Sequence, residues 1–196
     1  PQELIKAAKY GTINLHAGKL PNYRGGSPLN WQIIEGKKNI YISITKMTKK
    51  IDEGPVYITK KILFNTKENI QDLHNKVNEI YPHMVESTIQ KIKKKIKPKK
   101  QNIKFKRYLK QRSDKDGKIE WNQMTDYQVF NLVRATTKPY PGAFYIFNGN
   151  KIRIFICKIS KLNKVIKPGK ILIKSNQKFV GCKKGCIQII KERINR

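Results

Sequence analysis

Three side chains in the first third of the chain have the types and spacing for acyl transfer. Asn14 and His16 flank Leu15, and Asp52 follows thirty-eight positions after Asn14, just ahead of Gly54-Pro55. Thr12-Ile13-Asn14-Leu15-His16 reads as a short strand. Side chains two apart on a strand share a face, so the amide and the imidazole point the same way at its C-terminal end. In α/β sheets that end is where ligands collect. The amide donates a hydrogen bond to a developing oxyanion. The histidine gives or relays a proton. The carboxylate orients the histidine and raises its basicity, or takes the amine's proton through water. Taken in isolation the three residues do not settle the matter. A histidine near a strand end often serves only as a structural hydrogen-bonder, and Asp before Gly is a common turn residue.

The elements that must position them follow from local patterning. Residues 3–10 read as the last turns of a helix, and 17–26 as a loop punctuated by Pro21, Gly25 and Gly26. Ser27-Pro28 is a helix start, with a capping residue followed by proline at the first helical position. That helix carries Leu29, Trp31, Ile33 and Ile34 and stops at Gly36. Ile40, Ile42 and Ile44 alternate with polar residues as in a half-buried strand, and 56–64 reads as another. Residues 69–95 form a long helical pattern with apolar Ile70, Leu73, Val77 and Ile80, which Pro82 should kink or interrupt. A lysine-dominated run, 91–110, reads as a linker or exposed arm. Beyond it the spacing predicts a helix over 127–134, a hairpin turning on Asn148-Gly149, and strands over 171–174, 179–181 and 187–190. Many short strands suggest a small β-barrel.

The expected organisation is therefore α/β. Residues 1–97 are expected to form one α/β domain, which the family resemblance given below implies is a Rossmann-like catalytic domain; 98–115 are expected to form a basic linker, and 116–196 a C-terminal barrel resembling an OB-fold. Hydrophobic residues make up 38% and charged residues 29%, as in an ordinary globular chain. No apolar run approaches the ~18 residues that a membrane span needs, and the first residues do not resemble a signal peptide. The three cysteines, Cys157, Cys182 and Cys186, are too few and odd in number for a disulfide framework. They imply a reducing, cytoplasmic setting. Cys182 and Cys186 read as flanking a tight turn between strands, and no metal site is expected. His74 and His83, nine positions apart, read as surface or packing residues.

The formal net charge is +30. It fits a nucleic-acid or phosphate partner and equally fits compositional drift. Of 43 basic residues only seven are arginine, whereas dedicated phosphate surfaces favour arginine's planar fork. No Gly-x-Gly-x-x-Gly or P-loop string occurs.

The wider string decides between catalysis and structure. Residues 13–31, INLHAGKLPNYRGGSPLNW, closely resemble the signature of the folate-dependent formyltransferases: Asn-x-His, then Leu-Pro, then an aromatic-Arg-Gly. Asp52-Glu53-Gly54-Pro55-Val56 resembles that family's second motif. The resemblance implies that Asn14, His16 and Asp52 are catalytic. It also implies that 10-formyltetrahydrofolate, as co-substrate, is bound by Leu20, Pro21, Asp52 and Gly54, and that Tyr23, Arg24 and Gly25 contact the acceptor. One departure is visible: Gly18-Lys19-Leu20-Pro21 stands where many members have Ser-Leu-Leu-Pro.

The second half points to a branch. Residues 112–121, RSDKDGKIEW, and 131–144, NLVRATTKPYPGAF, resemble strings of the nucleotide-sugar amine formyltransferases. This makes a nucleotide-linked amino sugar the expected acceptor, with Arg134 and Tyr140 as contacts. Methionyl-tRNA is the alternative acceptor, and a truncated, non-catalytic nucleic-acid-binding remnant is a third reading. The resemblance also implies three further strands ahead of the one bearing Asn14. On that expectation the 196-residue chain alone has an unpaired sheet edge, limited stability and weak folate binding.

Overall fold

The computed structural model describes residues 2–103, 107–162 and 165–195. It divides into two compact units. The first comprises Pro1–Gln32, Lys37–Asn65 and Asp72–Gln111, and the second Ile33–Gly36, Thr66–Gln71 and Arg112–Arg196.

In the first unit, α1 (Gln2–Ala7) precedes β1 (Ile13–His16), and β3 (Asn39–Lys46) and β4 (Val56–Leu63) complete a sheet of order β1-β3-β4. Between β1 and β3 lie the two-residue strand β2 (Arg24–Gly25) and α2 (Pro28–Ile34). Both adjacent pairings of the three-stranded sheet are antiparallel: Asn14 sits opposite Thr45, and Ile40 opposite Ile62. The first unit is thus mixed α/β. The short connections from β3 to β4 favour a hairpin, whereas a parallel pair needs a crossover of a dozen or more residues. β1 is an edge strand of this sheet.

Ile40, Ile42 and Ile44 are fully buried, as the alternation predicts, but Ser43 and Thr45 are buried too. Ser43 Oγ donates to the Gly18 carbonyl at 2.8 Å, so this strand is covered on both faces and ties down the loop after β1. The N-terminus of α2 differs from the expected cap: Ser27 has φ +50°, outside the extended region of a standard N-cap.

The helix α3 (Ile70–Lys93) runs through Pro82 without a break. Ile70, Leu73, Val77, Met84 and Thr88 form its buried stripe. That stripe and two lysine ties to β4, Lys76 Nζ to the Leu63 carbonyl at 3.0 Å and Lys91 Nζ to the Tyr57 carbonyl at 3.1 Å, outweigh the one missing N–H of the proline. His74 is half-buried, and desolvation lowers its pKa; His83 is exposed.

The lysine-rich segment is not a detached arm. Lys99 and Val56 exchange two backbone hydrogen bonds of 2.8 and 2.9 Å. β5 (Tyr108–Leu109) pairs in parallel with β2.

The second unit is built on a five-stranded antiparallel sheet, β6 (Ala143–Phe147), β7 (Asn150–Ile159), β8 (Ile171–Lys174), β9 (Gln177–Gly181) and β10 (Cys186–Asn195), in the order β6-β7-β10-β9-β8. Among the described residues β6 and β8 do not pair, so the expected barrel is not closed. The sheet is packed by α4 (Asp126–Thr136) through Val129, Leu132 and Val133, which join Ile152, Ile154, Val180 and Ile187 in one core. Thr125 caps α4 by accepting from the Gln128 amide at 3.3 Å, while Gln128 Oε1 accepts from the Thr125 amide at 2.8 Å, a reciprocal capping box. Asn148-Gly149, at φ +48° and +75°, forms the expected two-residue hairpin. Ser175-Asn176, at +47° and +58°, forms a second of the same kind. Cys182 and Cys186 flank a tight turn closed by the Cys182 amide on the Gly185 carbonyl at 3.0 Å. All three cysteines are buried and unpaired in disulfides, and desolvation pushes the Cys157 and Cys182 thiols up to about 12.

On the surface of this unit, in a short 3-10 turn (Asp114–Gly117), Asp114 receives Arg153 through two guanidinium nitrogens, at 2.8 and 3.0 Å, and Lys151 at 3.1 Å. The Arg153 hydrogen bond, against a smaller desolvation effect, lowers the Asp114 pKa from its usual 3.8 to about 2. A depressed folded-state pKa gives stability that is fully present above the unfolded value. It is lost as the pH falls through about 4 towards 2. The carboxylate is 39% exposed, so solvent limits the contribution to about 1 kcal/mol or less. Arg153→Ala should therefore lower the denaturation midpoint slightly at pH 7 and not at pH 2, as read by urea melts at the two pH values.

Candidate active site

β1 places Asn14 and His16 on one face and turns Leu15, 41% exposed, to the other. The loop between β3 and β4 brings Asp52 against that face. Asp52 has φ +55°, a left-handed conformation that costs a non-glycine residue about 1 kcal/mol or more and needs support from its surroundings. The support is visible. Asp52 Oδ1 accepts from Asn14 Nδ2 at 3.3 Å and lies 3.4 Å from His16 Nδ1, while Oδ2 accepts from the Gly25 amide at 2.8 Å. The histidine and aspartate side chains are only 6% and 7% exposed.

The other imidazole nitrogen, Nε2, lies 2.5 Å from the Tyr23 carbonyl oxygen. A carbonyl only accepts, so Nε2 carries a proton. The ring thus bridges the Tyr23 carbonyl and the Asp52 carboxylate. Gly18 makes this closeness possible: a Cβ there would stand 2.7 Å from both His16 Nε2 and the Tyr23 carbonyl. The departure from the serine of many family members therefore has a direct consequence beside the histidine.

Tyr23 and Arg24 are buried. Arg24 Nη1 donates to Glu53 Oε1 at 2.9 Å, joining the loop after β1 to the residue that follows Asp52. Leu20 and Pro21 are partly exposed, joined by a cis peptide bond. Gly54 is buried, and its carbonyl accepts from Gln101 Nε2 at 2.6 Å. The first unit thus brings Asn14, His16, Asp52, Tyr23, Arg24, Gly25 and Gly54 into one network.

Arg134 and Tyr140 belong to the second unit. Arg134 is buried, with Nε donating to Asn131 Oδ1 at 3.0 Å and Nη1 to the Glu68 carbonyl at 3.2 Å; desolvation lowers its pKa. It borders a cavity of about 680 Å³ lined also by Phe130, Phe155 and Cys157, which includes none of the three trio residues. Among the described residues no group of three His, Cys, Asp or Glu side chains is arranged to hold a metal, and no helix is long and apolar enough to cross a membrane.

Sequence reasoning did not reach Glu53, Gln101 or the Tyr23 carbonyl. Glu53 was legible only as the neighbour of Asp52, and a backbone carbonyl has no sequence signal. Gln101 stands out only as an uncharged residue among lysines.

Residues 1–89 match the family described as "Formyl transferase", and residues 112–195 match "Formyl transferase, C-terminal domain". The chain belongs to the formyl transferase family. Within it, the chain is 37% identical over 190 residues to the bifunctional polymyxin resistance protein ArnA of Wigglesworthia glossinidia brevipalpis, covering 96% of this chain and 29% of that protein. It is 33% identical over 191 residues to methionyl-tRNA formyltransferase of Thermodesulfovibrio yellowstonii, covering 97% and 60%. The chain therefore spans under two thirds of either relative. The structure of an N-formyltransferase from Helicobacter canadensis, in complex with folinic acid and dTDP-3-aminofucose, superposes with a TM-score of 0.73 at 18% identity, covering 92% of this chain and 66% of that one. This formyl transferase chain thus shares its mixed α/β fold with that enzyme.

Proposed function

We propose that this chain carries the catalytic residues for transfer of a formyl group from 10-formyltetrahydrofolate to a primary amine. The observation that carries the reading is the shared carboxylate oxygen: Asp52 Oδ1 faces both Asn14 Nδ2 and His16 Nδ1. In this reading the neutral amine nitrogen attacks the formyl carbon, and the carbonyl electron pair moves onto oxygen. Asn14 has a second amide hydrogen beyond the one given to Asp52. That hydrogen stabilises the oxyanion. Collapse re-forms the carbonyl and breaks the bond to the folate nitrogen, which leaves with the proton that the attacking nitrogen gives up. The proton shed by the new amide is received by the His16–Asp52 pair directly or through water.

For the acceptor we infer a nucleotide-linked amino sugar. The strings at 112–121 and 131–144 support this, as does the similarity to an enzyme whose structure is in complex with dTDP-3-aminofucose. Leu20, Pro21 and Gly54 are assigned to the folate side. Tyr23 and Gly25 are assigned to the acceptor side, and buried Arg24 acts through Glu53. A second reading, methionyl-tRNA as acceptor, is favoured by the +30 charge and by the methionyl-tRNA formyltransferase relative.

The test is release of tetrahydrofolate from 10-formyltetrahydrofolate with a panel of nucleotide amino sugars and, in parallel, with methionyl-tRNA. Turnover with a sugar is expected. Turnover only with charged tRNA, falling steeply with salt, transfers the assignment to the second acceptor. No turnover with any amine removes the catalytic reading.

A further inference from the structure

The chain that follows α3 returns to the active-site face of the first unit and touches both loops that hold the trio together. Lys99 pairs with Val56, four residues after Asp52, through backbone bonds in both directions. Two residues further, Gln101 Nε2 donates to the Asp52 carbonyl at 2.8 Å and to the Gly54 carbonyl at 2.6 Å. The same segment then reaches the loop after β1. The Arg107 guanidinium lies 5.4 Å from the centre of the Tyr23 ring, and β5 pairs with Arg24–Gly25. The Leu109 carbonyl accepts from the Gly26 amide at 2.8 Å, and the Lys110 carbonyl from Trp31 Nε1 at 3.1 Å.

The orientation of the Gln101 amide is fixed by its partners. Turned over, its oxygen would face two carbonyl oxygens, which cannot donate. The amide nitrogen must therefore point at the loop. Its oxygen is left without a partner among the described residues, which marks the two carbonyl contacts as what holds the side chain in place. Both acceptors flank Glu53, and they lie on the one loop whose left-handed Asp52 needs outside support. Removing the amide would leave two carbonyls short of a donor beside that strained residue.

We propose that residues 99–103 and 107–111 form a strap that sets the catalytic loop, with Gln101 as the positioning residue that holds Asp52 against Asn14 and His16. The inference rests on the formyl-transfer reading for its consequence in turnover, but not for its structural content. On this account the lysine-rich segment is part of the active-site framework, and its function lies in one neutral side chain and its backbone rather than in its charge.

The test compares Gln101→Ala, Gln101→Glu and Gln101→Lys in the purified protein. The alanine variant loses both donors, and the glutamate variant sets a carboxylate against two carbonyls. The lysine variant restores a donor. Alanine should lower kcat about tenfold with the acceptor KM within about twofold, the size expected for lost hydrogen bonds at a buried site. Glutamate should lower it further, and lysine should recover most of it. Independently of turnover, amide exchange at Gly25, whose N–H is held by Asp52, should accelerate about tenfold in the alanine and glutamate variants. Exchange at Ile152 in the other unit should stay unchanged. Unaltered Gly25 exchange in both variants overturns the strap. Accelerated exchange with unchanged kcat overturns the positioning role. A wild-type protein inactive towards every acceptor overturns the formyl-transfer reading, while the exchange comparison still decides the strap.

Discussion

Asp52→Asn should lower kcat by roughly a hundred- to ten-thousand-fold, the range associated with loss of a positioned acid or base, while leaving the protein folded. The substitution conserves volume but not the pattern of donors. Oδ1 faces two nitrogens, Asn14 Nδ2 and His16 Nδ1, and Oδ2 takes the Gly25 amide. An asparagine has one oxygen to offer. If its NH2 takes the Oδ1 place, it confronts the Asn14 amide hydrogens. If it takes the Oδ2 place, it confronts the Gly25 N–H. Either orientation sets donor against donor and removes the carboxylate oxygen that faces His16 Nδ1. His16→Ala should give a loss of similar order, and the double variant should lose far less than the product of the two, because the pair acts as a unit. The measurement is tetrahydrofolate release alongside a thermal melt. Full activity in a folded Asp52→Asn protein would sink the mechanism.

This trio was legible in the sequence because a strand's two-residue period is rigid. Once 12–16 is a strand, Asn14 and His16 must share a face, and the structure has them so. The hairpin at Asn148-Gly149 was legible for a similar reason, since two consecutive residues at positive φ have few sequence solutions. Pro82 misled because its cost is local and the buried stripe of α3 is long. The antiparallel pairing of β3 with β4 was not read from the sequence, and it follows from the short connection that joins them. The strap was hidden by composition. A run of lysines reads as a solvated arm, yet its contacts with the site are made by backbone groups and one glutamine amide, neither of which leaves a pattern. Gly18 was visible only as a departure from a motif, and its meaning required the distance from His16 Nε2 to the Tyr23 carbonyl.

The second large effect lies two residues after Asp52. A Cβ at Gly54 would fall on the Lys46 carbonyl oxygen and press on Thr48 Cγ2 at 3.4 Å. Neither side can easily yield. The Lys46 amide is bound to the Pro55 carbonyl at 2.9 Å, which fixes the end of β3 against the start of β4, and the Gly54 carbonyl is held by Gln101 at 2.6 Å. Gly54→Ala must therefore break one of these ties and move the loop that carries Asp52. Overpacking of this kind costs about 1–3 kcal/mol, so the urea midpoint should fall clearly. Turnover should fall more than tenfold even at temperatures where the variant is fully folded, since small displacements of catalytic groups cost rate steeply. Gly149→Ala is the matched control. Its Cβ meets nothing within 4 Å, but its φ of +75° imposes backbone strain alone. That variant should lose stability without losing turnover per folded molecule. If Gly54→Ala behaves like the control, the loop has more room than its contacts indicate. If it loses rate beyond its loss of stability, the placement of Asp52 depends on backbone packing as tight as any in the core.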